Sequence, residues 1–351
     1  MKQNPITSIK DQNRSGTCWA YSTLSYFESE ILKHTGKTYD LSEMFVANKT
    51  YMDRATMAVR MHGDVSFSQG GSAYDVLYAL QHYGIVPEGA MPAPGTLTGD
   101  SLANFGEFFD VMTPYVEAVA KSNAKKISSA WKSGLQGIID SYIGKTPEKF
   151  TYQGKQYTPQ SFCQSLGLNL DDYVTITSYT HHPMWSKFAV EVQDNWRWPL
   201  SYNVPMDDLC KIIDNAINNG YTIAWGGDVT EDGFTRKGLG IAYDVKKVRS
   251  MAGTDADHWF KLSKDEKKEK FDSLGVNAPE VVPTQAMRQE AFDNWETTDD
   301  HGMHIYGIAK DQNGKEYYMV KNSWGEYGDY KGTWYMTKAF VAYKTMDFMV
   351  N

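Results

Sequence analysis

The chain has 351 residues, 41% of them hydrophobic and 14% aromatic, a composition that excludes a disordered polymer. A chain this long buries about three quarters of its extended surface, so its three cysteines are not needed as a disulfide framework. The formal net charge is -8 with no basic stripe, which argues against a nucleic-acid partner, and no apolar run approaches the ~18 residues of a membrane span.

Residues 6–17 are polar and rich in turn formers. From Cys18 a helical period begins, carried by Trp19, Tyr21, Leu24, Phe27, Ile31 and Leu32, and Gly36 ends it. Ser42 precedes a second helical run from Met44 to about Met61, with Leu41 and Phe45 placed as a staple. Ser68-Gln69-Gly70-Gly71 reads as a turn, and Ser72 as the cap of a helix from Ala73 to Tyr83 that Gly84 stops. Pro87, Pro92, Pro94, Gly95 and Gly99 make a breaker-rich connection.

Phe105 to Ile143 is mostly helical in pattern. Beyond Gly144 strand signals increase: Tyr173 to Thr177 alternates and is β-branched, and Tyr221 to Trp225 follows an amphipathic helix from Asp207 to Asn219. His304 to Ala309 and Tyr317 to Lys321 read as strands joined by an Asp311-Gln312-Asn313-Gly314 turn. Gly332 to Met336 and Tyr343 to Val350 continue the β character. The charge run Lys261 to Asp272 alternates in sign and reads as a solvated helix face. Helices early and strands late predict an α+β fold with two lobes.

Three segments carry chemistry. In Asp11-Gln12-Asn13-Arg14-Ser15-Gly16-Thr17-Cys18-Trp19, the cysteine stands at the first turn of a helix, where unpaired N–H groups and the dipole stabilise a thiolate. Gln12 is placed in a turn that can bring its amide to join the Cys18 N–H as an oxyanion hole. The second segment is Asp300-His301-Gly302-Met303-His304, and the third is Asn322-Ser323-Trp324-Gly325. A cysteine nucleophile needs a base and a group that orients the base, and the order Cys, His, Asn supplies all three. This chemistry needs no cofactor. His301 is the preferred base over His304, which fits a strand histidine on the neighbouring face. His181-His182-Pro183 suggests a metal, but with no further donor at ligand spacing it reads as a surface turn, and no metal site is expected. Cys163 and Cys210 read as small core residues.

These segments resemble the papain-like cysteine peptidases. Gln12 to Ser22 is similar to their nucleophile segment, and His301 and Asn322 to Gly325 to the other two. Ser15 stands where the signature carries an extra cysteine, and Thr17 where Ser or Ala is usual. Loss of that cysteine is a trait of the bleomycin hydrolase and aminopeptidase C branch. His301 lies 283 residues after Cys18, against about 130–150 in the signature, so the core motifs frame a large insertion. Further segments resemble the branch, among them Leu170 to Val174, Asn203 to Asp207, Ala224 to Val229 and Glu290 to Asp293.

The resemblance implies a papain-like two-lobed fold. Residues 1–95 are the expected helical lobe with the nucleophile. Residues 96–200 are the expected insertion, mostly helical and suited to roof the cleft. Residues 201–351 are the expected β-rich lobe, with a charged insertion at about 240–290. It implies a triad of Cys18, His301 and Asn322 with Gln12 as oxyanion donor. Substrate binding falls by the same resemblance to Gly70, Gly71, Trp19 and Trp324. Asp299 and Asp300 are placed to modulate the histidine, and Glu43 to be a buried acid under the Ser42 cap.

Peptides are the implied substrates, and a homo-oligomer is a family trait. The expected location is the cytoplasm, or outside it if an upstream signal was removed. Aminopeptidase action is the branch's activity. Its C-terminal tail has no counterpart after the last strand, so papain-like endopeptidase action stays open. Amide transfer on the same frame and a catalytically silent binding module are the remote alternatives.

Overall fold

The computed structural model describes residues 1–94, 102–245, 247 and 263–351. Gly95 and Gly99 of the breaker-rich connection, and the start of the charge run at Lys261, lie outside the described residues.

In chain order the elements are β1 (Lys2–Gln3), α1 (Cys18–Thr35), α2 (Glu43–Arg60), α3 (Ala73–His82), α4 (Gly106–Ala120), α5 (Ala130–Tyr142), β2 (Phe150–Tyr152), β3 (Lys155–Tyr157) and α6 (Pro159–Ser165). There follow β4 (Val174–Thr177), β5 (Lys187–Phe188), β6 (Ser201–Asn203), α7 (Met206–Asn218), β7 (Ile223–Gly227), β8 (Leu239–Gly240), α8 (Lys264–Leu274) and α9 (Gln285–Asp293). The last are β9 (His301–Lys310), β10 (Glu316–Lys321), β11 (Thr333–Thr337), α10 (Lys338–Lys344) and β12 (Thr345–Val350).

Local signals place the helices. Gly36 closes α1 in the left-handed region at φ 68°, its N–H on Leu32 O. Ser42 Oγ accepts from Phe45 N at 3.1 Å, and Asp75 Oδ2 accepts from Ser72 N at 2.9 Å. The helix α10 replaces the β start expected at Tyr343. Seven residues are too few to show a helical period, but Thr337 caps them through Phe340 N at 3.1 Å.

Two large hydrophobic cores stand out among the described residues. Leu24, Phe27, Phe45, Tyr51, Leu80 and Phe108 belong to the helical one. Trp225, Ile305, Val320, Trp334, Phe340 and Phe348 belong to the other, where α7 and α10 pack on the sheet. The sheet order is β5-β6-β4-β12-β7-β9-β10-β11-β8, with β1 added to β9. It is mixed, with parallel pairs at β4–β6 and β8–β11. Helix dominates residues 102–200 only as far as Tyr142, because β4 and β5 of this stretch enter the sheet. The helices α4 and α5 pack on α2 within the helical core.

α1 lies against β9, which begins at His301 rather than at His304. Residues 301–303 pair with Gly227 to Trp225 of β7. The seam between the two cores thereby carries both Cys18 and His301.

Candidate active site

Cys18 is the first residue of α1, and His301 the first of β9. Both line one cavity of about 250 Å³ at the seam. Gly302 permits this approach, since a Cβ there would press on Ser22 Oγ at 2.7 Å and on the backbone of Trp19 and Cys18.

The imidazole is fixed from behind. His301 Nε2 lies 2.8 Å from Asn322 Oδ1, which also accepts from Ser323 N at 2.8 Å. Trp324 covers this pair, its ring centroid 4.9 Å from that of His301. Excluding water from such a bond strengthens it. His304 points elsewhere: it is fully buried, and its Nδ1 meets Ser25 Oγ at 2.9 Å.

Burial sets the charges. It pushes the Cys18 thiol up to about 12; the Gly302 and Trp19 backbone N–H groups pull it down, and Asp299 and Asp194 add to the rise. Burial pushes His301 down to about 4 against the Asn322 bond. Desolvation is thus the larger effect on the thiol and opposes the helix end. Moving the proton from sulfur to imidazole leaves the pair's net charge unchanged, so that transfer avoids a lone buried charge.

Gln12 is buried and tied to the third segment. Its N–H donates to Ser323 O at 2.8 Å, and its Oε1 accepts from Ser323 Oγ at 2.6 Å. Its Nε2 donates to Ser15 O at 2.7 Å, which leaves one amide hydrogen for another acceptor. Ser15, in place of a cysteine, donates to Gln12 O at 2.7 Å.

Of the expected substrate-binding residues, Gly70, Gly71 and Trp19 line the cavity. Trp19 Nε1 donates to Gln69 O at 3.0 Å, and a Cβ on Gly71 would meet the Trp19 ring at 2.8 Å. Gly70 O is taken by Arg54 Nη1 at 2.7 Å, whereas the Gly71 backbone has no hydrogen bond among the described residues. Trp324 lines a neighbouring hollow with Phe234 and Tyr327 instead.

Sequence reasoning named Asp299 and Asp300 but missed that Asp194 and Asp347 join them in a wall of carboxylates. Asp194, Asp299, Asp300 and Asp347 all line the cavity. Asp194 pairs with Arg54 at 3.1 Å. The Asp299 and Asp347 carboxylates have no hydrogen bond or ion pair among the described residues. Burial, then Asp194, Asp347 and Asp300, hold Asp299 well above the usual carboxylate range. Burial alone pushes Asp347 up to about 6. These residues are up to 153 positions apart, so no local signal joins them. Glu43 is the buried acid expected: Lys10 Nζ donates to it at 2.9 Å, while burial pushes its carboxyl up. Cys163 is buried and Cys210 partly so, both away from the cavity.

His181-His182 lies in the surface turn expected, but with a donor that the spacing did not offer. The turn that follows brings back Glu191, whose two oxygens lie 3.0 Å from the two Nε2 atoms. Spacing along the chain hid a third donor that the fold supplies.

A cysteine at a helix start, a histidine on an adjoining strand and an asparagine behind it define a cysteine peptidase of papain-like architecture. The model of the Peptidase C1-like family matches residues 2–278, and the chain belongs to that family. The matched stretch holds Gln12 and Cys18 and ends ahead of His301.

Aminopeptidase G of Lactobacillus delbrueckii subsp. lactis is 23% identical over 370 residues, 95% of this chain and 78% of the relative. Aminopeptidase E of Lactobacillus helveticus is 23% identical, over 94% of this chain and 77% of the relative. The crystal structure of PepW from Lactobacillus rhamnosis HN001 superposes with a TM-score of 0.74 at 19% identity, covering 99% of this chain and 81% of that one. The fold is thus papain-like, and the aminopeptidase C branch that the motifs resemble is supported. Among the described residues no helix is long and apolar enough to cross a membrane.

Proposed function

We propose that this cysteine peptidase is an aminopeptidase, with Cys18, His301 and Asn322 as its triad and Gln12 as oxyanion donor. Asn322 holds Nε2 of the ring, so Nδ1 is the base. Cys18 Sγ attacks the carbonyl carbon as its proton passes to His301. The oxyanion meets the Cys18 backbone N–H and the remaining Gln12 amide hydrogen. The C–N bond then breaks, and His301 returns its proton to the leaving amine. Water attacks the thioester, gives a proton to His301, and the acid departs as Sγ is reprotonated.

One observation carries the exopeptidase reading: Asp299 and Asp347 face the nucleophile's cavity with no ion pair of their own among the described residues. The α-ammonium of a substrate supplies that counter-charge and sets the first peptide bond at Cys18. The names of the relatives support the same reading.

The test is hydrolysis of a peptide with a free N-terminus against its N-acetylated form. Acetylation is expected to lower kcat/KM by about 10²-fold, the loss of a buried charge pair. Equal rates on both would remove the aminopeptidase reading.

A further inference from the structure

Outside the catalytic cavity, three side chains converge on one point. His181 Nε2 and His182 Nε2 each lie 3.0 Å from a different oxygen of Glu191. All the donor atoms lie within 4.8 Å of one another. A zinc ion with bonds of about 2.0–2.2 Å in a tetrahedral array needs its donors about 3.3–3.5 Å apart. Small side-chain rotations bring this set to that spacing.

The rings are not free surface groups. His181 stacks on Phe292 at 5.8 Å and 15°, and His182 on Phe188 at 4.2 Å and 21°. Behind His181, Nδ1 faces the Gln289 amide, with Nε2 at 3.0 Å and Oε1 at 3.4 Å. That amide offers a partner to either tautomer, including the one with Nδ1–H that frees Nε2 for a metal. Gln289 is itself held, donating to Asp293 Oδ1 at 2.9 Å and accepting from Thr180 N at 2.6 Å. The turn is pinned by Asn203, whose Nδ2 donates to His182 O at 3.0 Å and to Pro183 O at 3.1 Å. Ligating histidines generally carry such a partner on the second ring nitrogen.

We propose that His181, His182 and Glu191 form a binding site for a divalent transition metal of the zinc type. Two imidazoles and one carboxylate suit zinc, nickel or copper and not calcium or magnesium, which take oxygen donors. Three protein ligands leave a position for water. The ion clasps the stretch running from the histidines to Glu191 onto its own start, beside α9. Val190 and Val192, the neighbours of Glu191, line the catalytic cavity. The site is therefore placed to stiffen one wall of the cleft.

The test is calorimetric titration of zinc chloride into the chelator-treated full chain, with Cys18 alkylated so that its thiol does not compete. One equivalent is expected to bind. His182→Ala, at a half-buried position, and Glu191→Gln, at an exposed one, are each expected to weaken binding at least about tenfold, and Gln289→Ala about tenfold through the ring it orients. Circular dichroism checks that the variants fold. No binding by the parent, unchanged binding in both ligand variants, or equal binding of magnesium would overturn the proposal. Retention of the two His–Glu contacts as ion pairs alone gives the first of these outcomes.

Discussion

The Asp194 carboxylate sits against the α-carbon of Gly70, in the space a side chain at position 70 would fill. The same carboxylate accepts from Arg54 Nη1 at 3.1 Å, and that nitrogen also donates to Gly70 O at 2.7 Å. Gly70→Ala is expected to push Asp194 aside and break this triangle. Misplacement near a reacting centre by about 1 Å costs roughly 10²-fold in rate. Steady-state kinetics on a free-amine peptide read the loss, and parental kcat/KM in the variant would contradict it.

His301 is expected to be what makes Cys18 reactive, because burial otherwise holds the thiol near 12. The measurement is the rate of Cys18 alkylation by iodoacetamide at pH 7. His301→Ala is expected to slow it by roughly 10²-fold, the lower range for a positioned base. Asn322→Ala leaves the ring in place but unoriented, and a smaller drop is expected. An unaltered rate in His301→Ala would show that the thiol ionises without the ring.

Gln12, proposed as oxyanion donor, also ties Ser323 to Ser15, and Gln12→Ala removes both roles at once. Loss of an oxyanion donor is expected to lower kcat by about 10²–10³-fold with KM little changed. Loss of partners for Ser323 Oγ and Ser15 O is expected to cost about 1–3 kcal/mol of stability. A thermal shift without a kcat effect would assign Gln12 to structure alone.

The pH profile should depend on the substrate's N-terminus. Asp347 titrates at about 6 in the folded chain, above its ordinary value. Above that pH it is charged and attracts an ammonium; as pH falls through about 6 it gains a proton and the attraction is lost. On the alkaline side a peptide α-amino group loses its own proton at about 7.7–8.0. A bell-shaped kcat/KM between these limits is therefore expected for free-amine peptides. Asp347→Asn should raise KM and remove the acid limb near 6. An acid limb unmoved in that variant would take Asp347 out of substrate binding.

The helical lobe was legible because its signals are local. Gly36, Ser42 and Ser72 announce helix ends within a few residues. Cys18, His301 and Asn322 were legible by resemblance, since each stands in a short motif. The acid wall was not, because it joins Asp194 to Asp347 through sheet topology alone. Glu191 was missed for the same reason: spacing along the chain says nothing of a turn that returns to its start. The placement of residues 102–200 was half legible. The period of α4 and α5 predicts helices but not that they pack on α2.

β12 follows every other strand in the chain, yet it lies inside the sheet between β4 and β7. Until it inserts, the half-sheet β5-β6-β4 has no hydrogen-bonded link to the half that carries His301. Met346 and Asp347, both in this strand, also complete the lining of the cavity. Pairings this distant in sequence form late, after the entropy of long loops has been overcome. A chain still emerging from the ribosome thus holds its nucleophile before it holds a finished cleft. The order of synthesis delays completion of this cavity wall until β12 has been made.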